Sequence, residues 1–430
     1  MARSAQLEKT ATATTSAAAI IWRSPFLRSA FLALFISGLA VSSTTPQMTL
    51  YLVNELNASV PVAGLYYLTS FAAPLAGYWL GNVSDRQANR LSLYRICAVL
   101  GGLGWVAMAL ATSVWMPFVI AALVLSISGG SMGLLFAAVR DDLSRHGSPA
   151  ADRVVSAVRM AFTAGWIIGP VLGSWFGALY GLRPLLFITA LLTAGQVLPL
   201  GLQRVQRFVG ERRPPSDSDS AKALTGQHML AQASKAPLYV FVAASVLVMN
   251  GDTIKFAFLP LYMANQLGIS DALRGAVIAI QPLVELTLMP FFAWLADRIS
   301  PIRVVTIGAA FGIAANIAYA TSTHVAGLFV GQILMSALWA AIAGLGVTVA
   351  QQLYPYGVGL ASSVFMSSIM LSGGLGGAIG GLGTALLGVP EIFFVSAAVT
   401  ALGTLGMVYV ANRYKPSSVS FIDSWPSGPK

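Results

Sequence analysis

The chain has 430 residues, of which 56% are hydrophobic and only 9% charged, whereas ordinary soluble domains carry about 25% charged residues. That composition excludes a water-soluble globular fold, and a single cysteine, Cys97, excludes an intramolecular disulfide framework. The net charge of +10 is spread in short clusters between apolar runs, so it predicts no nucleic-acid partner and fits membrane topology instead.

The apolar residues come in runs of about 18 to 25, enough for a helix to cross a hydrocarbon core of roughly 30 Å. In chain order the runs predict helices near 26–53, 61–81, 92–112, 115–139, 155–178 and 184–204, then 237–264, 272–296, 302–322, 325–350, 357–386 and 391–412. Between the sixth and seventh runs, Arg207, Arg212, Arg213, Pro214, Pro215, Ser216, Asp217 and Asp219 form a polar stretch that cannot bury a core. The predicted organisation is a tail over 1–24, a six-helix bundle over 25–204, a linker over 205–236, a second six-helix bundle over 237–412 and a tail over 413–430. The fold class is therefore an all-α integral membrane protein, with twelve transmembrane helices in two pseudo-symmetric bundles. Phe26 to Val41, following Arg23, could pass for a signal peptide. Eleven further spans make it a retained anchor.

Lys and Arg in the connections set the orientation, because positive loops stay on the cytoplasmic side. Arg86, Arg90 and Arg95 follow the second helix, Arg140, Arg145 and Arg153 the fourth, and Arg298 and Arg303 the eighth. The opposite connections offer only Arg183 and Arg274. Both termini and the linker are thus expected in the cytoplasm, which requires an even number of spans.

Two internal repeats support duplication. Gly81-Asn82-Val83-Ser84-Asp85-Arg86 ends the second helix and Ala293-Trp294-Leu295-Ala296-Asp297-Arg298 ends the eighth, so an Asp-Arg pair recurs six helices later. In the fifth and eleventh helices, Ser156, Gly165, Gly169 and Gly173 align with Ser363, Ser372, Gly376 and Gly380 at a constant offset. Small residues at such spacing let helices approach closely.

These residues resemble the major facilitator superfamily, whose fold sets two six-helix halves around a central cavity. Its loop signature, G-x-x-x-D-R-x-G-R-R/K, is matched by Gly81, Asp85, Arg86 and Arg90, with Ala88 and Asn89 replacing the usual Gly and first basic residue. Gly165-x-x-x-Gly169-Pro170-x-x-Gly173 is similar to the glycine-proline motif of the antiporter branches, which implies export. A narrower resemblance, to the bacterial sugar efflux transporter family, rests on Pro46 to Leu52, Val158-Arg159-Met160-Ala161, Trp166 to Pro170, and Leu283-Val284-Glu285. It implies a monomer in the bacterial inner membrane, surrounded by lipid, that moves a small polar solute, a sugar or small glycoside, against protons.

Charges inside membrane helices point to a site independently of any family, since each costs at least ~2.5 kcal/mol near the helix centre. Asp252 and Glu285 are the acids that fall within spans, with Arg159 and Lys255 as basic counterparts. Counting along the helices puts Asp252 about 22 Å and Glu285 about 18 Å from the cytoplasmic ends, similar levels near midplane. Asn250, Lys255 and Gln281 lie within a turn of them, and Pro282 can free a backbone carbonyl there. Gln332 and Trp339 are seven residues apart on one face of the tenth helix, a pairing of amide and aromatic that suits a sugar. Each residue also has a plain reading. Asp252 and Lys255 neutralise one another at i, i+3 so that the helix can insert, Glu285 finds a structural partner on another helix, Arg159 snorkels to the surface, and Trp339 packs against a neighbour.

The expected mechanism is alternating access about a midplane site, in which Glu285 gives proton and solute a common group to compete for. One proton moving through 100 mV supplies roughly 2.3 kcal/mol, enough for a solute gradient of about 40-fold. Asp85, Arg86, Arg90, Asp297 and Arg298, with Gly169 and Pro170, are assigned to gating rather than to solute. A multidrug/proton antiporter and a proton-coupled uptake symporter are alternatives on the same fold, and a non-transporting receptor is an alternative of another class. An enzyme reading finds neither HExxH nor a Ser-His arrangement, and His146, His228 and His324 have no metal-ligand spacing. No cofactor or metal is expected.

Overall fold

In the computed structural model, residues 17–87, 89–145, 151–205 and 234–414 are described, and every element among them is helical. Twelve helices are long and apolar enough to cross a membrane: α1 Pro25–Asn54, α2 Val60–Arg86, α3 Arg90–Ala109, α4 Trp115–Arg145, α5 Arg153–Tyr180, α6 Leu182–Leu200, α7 Ala236–Gln266, α8 Asp271–Ile299, α9 Pro301–Thr321, α10 Val325–Leu353, α11 Val358–Leu387 and α12 Ile392–Arg413. The protein is a multi-pass membrane protein. The largest departure from the predicted ends is at α4, which continues to Arg145 instead of stopping at 139. Hydropathy falls at the first charged residue, whereas helical hydrogen bonding runs on until the chain turns. A short helix, Ala17–Arg23, with Ile21 buried and Trp22 exposed, occupies the last part of the predicted N-terminal tail. Most of both tails and of the linker, over 1–16, 206–233 and 415–430, lies outside the described residues.

Local chemistry sets where helices begin and bend. Ser24 caps α1 by accepting a hydrogen bond from the Leu27 amide, with Pro25 in the first turn. Near its far end α1 tightens to a 3-10 turn over Thr45–Gln47, because Pro46 has no amide hydrogen and its ring crowds the carbonyl four residues earlier. Asn89 caps α3 through the Leu91 amide, 3.1 Å away.

Helix partners repeat between the halves. In the first half α1 packs along α5 and α3 along α6; in the second, α7 packs along α11 and α9 along α12. The aligned glycines explain the first pairing. A Cβ on Gly169 or Gly173 would overlap Ser42 or Ser43 of α1, and one on Gly376 or Gly380 would press on Asn250 and Thr253, or on Phe258, of α7. Both halves therefore use a glycine seam to bring one helix backbone onto its partner.

The halves meet at one end. Gly275 of α8 sits against Pro170 and Ser174 of α5, and Gly377 and Gly381 of α11 sit against Tyr67, Leu68 and Leu65 of α2. All these residues lie toward the ends of their helices remote from the linker. The apolar core has the same asymmetry. One cluster runs continuously from the second half into Leu50, Tyr66 and Met108 of the first, while a separate cluster of Leu27, Leu34, Leu93, Leu135 and Val158 fills the linker side of the first half. Among the described residues, the close approaches between the halves and the apolar core they share thus gather on the far side.

Candidate functional site

Four charged or amide side chains from α7 and α8 come together at mid-depth. Asp252 and Lys255 share a face of α7 at i, i+3, and the Lys255 ammonium lies 2.5 Å from Asp252 Oδ1. Lys255 is completely buried, and the Asp252 side chain is 14% exposed. The ammonium also donates to Oε1 of Gln281 on α8. Glu285 stands one turn further along α8, half-buried, within electrostatic range of both Asp252 and Lys255. From the helix ends, Asp252 is about 24 Å and Glu285 about 21 Å from the linker side at 1.5 Å per residue. Buried charges persist in a membrane only when paired, hydrogen-bonded or facing water. Lys255 meets that condition through two acceptors. Glu285 has no hydrogen-bond or ion-pair partner among the described residues.

Aromatic rings link this cluster to the first half. The Lys255 ammonium is 4.0 Å from the centroid of the Phe256 ring, and that ring meets Trp166 of α5 edge-on at 5.9 Å. The Trp166 indole N–H is buried without a hydrogen-bond partner among the described residues. Arg159 lies two turns nearer the linker side on the same face of α5, exposed, with its guanidinium 5.7 Å from the Phe136 ring of α4. A guanidinium over a ring face is held by the ring quadrupole, and this contact orients Arg159.

The other residues singled out from sequence fall elsewhere. Asn250 is fully buried, and its amide nitrogen donates to the Leu247 main-chain oxygen of its own helix. Gln332 accepts from the Tyr319 hydroxyl of α9 at 2.9 Å, inside the second half, and Trp339 packs against the core of that half. Gln332 connects to the charge cluster only indirectly. Ser336, one turn after it, shares its hydroxyl proton between the main-chain carbonyls of Gln332 at 2.7 Å and Gln281 at 3.1 Å.

At the linker-side ends of α2, α3 and α4, Arg90 ties three helices together. It donates to Ser84 Oγ at 2.7 Å, to Asp85 Oδ1 at 3.2 Å and to Asp141 Oδ2 of α4 at 2.8 Å. The Asp85 carboxylate is 61% exposed, and that of Asp141 only 15%. Arg86 is exposed. In the second half the matching pair makes no such knot among the described residues: Asp297 is exposed, and the Arg298 guanidinium lies 4.0 Å from the Trp294 ring.

Sequence reasoning missed Asp141, Phe256 and the cross-half position of Trp166. An acid near the end of α4, level with the Asp85 loop, is the signal that could have found Asp141. The contact between Trp166 and Phe256 joins helices from different halves, and no spacing along the chain reveals it.

A family model, the Major Facilitator Superfamily, matches residues 30–251 and again 240–422. The chain belongs to the major facilitator superfamily. Among its relatives is a putative sugar efflux transporter of Deinococcus radiodurans, 24% identical over 385 residues that span 89% of this chain and 97% of that protein. The multidrug resistance protein MdtG of Dickeya zeae is 26% identical over 287 residues, covering 64% of this chain and 67% of that protein. The crystal structure of the nucleoside transporter NupG superposes with a TM-score of 0.71 at 17% identity, over 91% of this chain and all of that one. That likeness is one of fold. This superfamily member is thus a membrane transporter of the twelve-helix class, and its charge cluster lies in the second half.

Proposed function

We propose that this transporter exports small polar solutes, sugars or small glycosides, in exchange for protons, by rocking its two halves about the mid-depth site. The observation that carries the reading is the charge cluster itself. Asp252 is compensated by Lys255, which leaves Glu285 as the membrane acid free to bind and release a proton. Arg159, Trp166 and Gln281 offer the solute a guanidinium, an aromatic face with an unused N–H, and an amide. A polyhydroxylated ring has acceptors for the donors and an apolar face for the indole. The relative called a sugar efflux transporter aligns along nearly its whole length, and the multidrug relative along about two thirds. With the positive connections on the linker side, that side and both termini face the cytoplasm of a bacterial inner membrane, and one chain suffices as a monomer.

Multidrug export is the second reading, favoured by the MdtG relative. A hydrophobic cation would use the carboxylates and rings but would leave Arg159 and the indole N–H without acceptors. The deciding experiment uses the purified protein in vesicles with an imposed pH difference. Radiolabelled mono- and disaccharides are compared with hydrophobic cations. Proton-driven accumulation of a sugar in the export direction is the expected result. Accumulation of cations alone supports the second reading, and sugar movement together with protons makes the protein an uptake symporter.

A further inference from the structure

Three side chains compete for one ammonium in the second half. Lys255 contacts Asp252 on its own helix and Gln281 on α8, and Glu285, one turn from Gln281 on the same face of α8, lies within electrostatic range of it. The structure pairs it with the first two. Its ion pair is with Asp252, its second bond is to Gln281, and Glu285 is left without a hydrogen-bond or ion-pair partner among the described residues. The Gln281 side chain is buried, and the hydroxyl of Ser336 on α10 donates to the main-chain carbonyl of the same residue at 3.1 Å, which fixes the backbone from which the amide projects.

We infer that Gln281 is a positioning residue for proton exchange, which keeps the Lys255 ammonium on the Asp252 side and thereby leaves Glu285 uncompensated. The inference rests on Glu285 being the proton-exchanging acid. Its physical basis is short-range electrostatics. An ammonium within about 4–6 Å of a carboxylate strongly favours the charged form, so a shift of the Lys255 ammonium toward Glu285 would turn that acid from an exchangeable group into half of a permanent ion pair. Few other groups can alter that balance. α7 contributes Asp252 and Lys255, α9 contributes Tyr319, which lies within range of Asp252, and α10 and α11 carry no titratable side chain at all between Val325 and Leu353 or between Val358 and Leu387. On α5, across the interface, Arg159 sits two turns nearer the linker side than Trp166. With nothing charged on α10 or α11 to compete for Lys255, the amide at 281 is the neighbouring-helix acceptor that shares the ammonium with Asp252.

The test measures pH dependence of solute accumulation in vesicles for wild type, Gln281→Leu, Gln281→Glu and Glu285→Gln, using a sugar that the wild type accumulates. Removing the acceptor in Gln281→Leu is expected to release the ammonium toward Glu285 and move the pH midpoint down by about one unit, a roughly tenfold weaker hold on the proton. Gln281→Glu keeps an acceptor in place and is expected not to lower the midpoint. Should the leucine variant fail to fold, Gln281→Met removes the acceptor at nearly constant shape. A lower rate with the wild-type midpoint in both Leu and Met variants overturns the positioning role. Wild-type accumulation in Glu285→Gln overturns the underlying assignment of Glu285 instead, so the two failures are distinguishable.

Discussion

The Lys255 ammonium lies 2.5 Å from the Asp252 carboxylate, three residues earlier on the same helix, yet the lysine is wholly buried while the aspartate keeps 14% of its side chain exposed. The pair is therefore lopsided. Its cation is sealed in the second half and its anion reaches the edge of that half. A sealed cation depends on its acceptors, and an acid at the edge can respond to what enters the gap.

Asp252→Asn should consequently destabilise the protein by about 3–5 kcal/mol, the usual effect of leaving a buried charge without its partner. Thermal unfolding in detergent measures this. The double variant Asp252→Asn with Lys255→Met should recover most of the loss, because it removes the orphaned ammonium. A destabilisation that persists in the double variant would mean that the pair is not the source.

Glu285→Gln should uncouple solute from protons without abolishing solute binding. Glutamine preserves the shape and hydrogen-bonding capacity of the side chain but exchanges no proton. In vesicles the variant is expected to catalyse solute exchange at near wild-type rates and to fail to accumulate solute when a pH difference is imposed. Normal accumulation would transfer the role to Asp252.

The knot around Arg90 orders two substitutions. Asp141 is closer to Arg90 and better shielded than Asp85, at 2.8 Å against 3.2 Å and 15% against 61% exposed, and exposed ion pairs contribute only about 0–1 kcal/mol. Asp141→Asn should therefore lower transport more than Asp85→Asn, with expression of both near wild type, if the knot sets the balance between conformations. Initial rates in vesicles decide the order. Equal, wild-type rates would reduce both acids to surface charges.

Reporter fusions after Lys430 and within the linker should both report cytoplasm, as the positive connections require. A periplasmic signal from either would overturn the proposed orientation.

Much of this protein was legible from one-dimensional patterns, for an identifiable reason. In a bilayer every backbone polar group must be satisfied within its own segment, so an apolar run of sufficient length is a helix whatever its neighbours do. The span over 325–350 needed no tertiary information, and neither did the recurrence of the Asp-Arg pair at Asp85-Arg86 and Asp297-Arg298. The glycine alignment between Gly169 and Gly376 belongs to the same class, because a seam needs small residues at helical spacing. Asp252 and Lys255 were also readable as a pair, since i, i+3 on a helix is a contact by construction.

What depended on the direction of a side chain across helices was not readable. Gln332 and Trp339 share a face of α10, and periodicity says so, but only the packing of α9 and α8 around α10 turns that face into the second half instead of toward the gap. Trp166 carried no sign in its own helix of the Phe256 ring it meets, and Asp141 none of Arg90. By itself the sequence determined the number of spans, their order, their duplication and the identity of the membrane charges, because each follows from the cost of placing polar groups in hydrocarbon. Only the tertiary structure decided which charges are neutralised and which stand free. Helical spacing alone pairs Lys255 with Asp252, but it is the approach of α8 to α7 that puts Gln281 at the ammonium as its second acceptor and leaves Glu285 without a hydrogen-bond or ion-pair partner among the described residues.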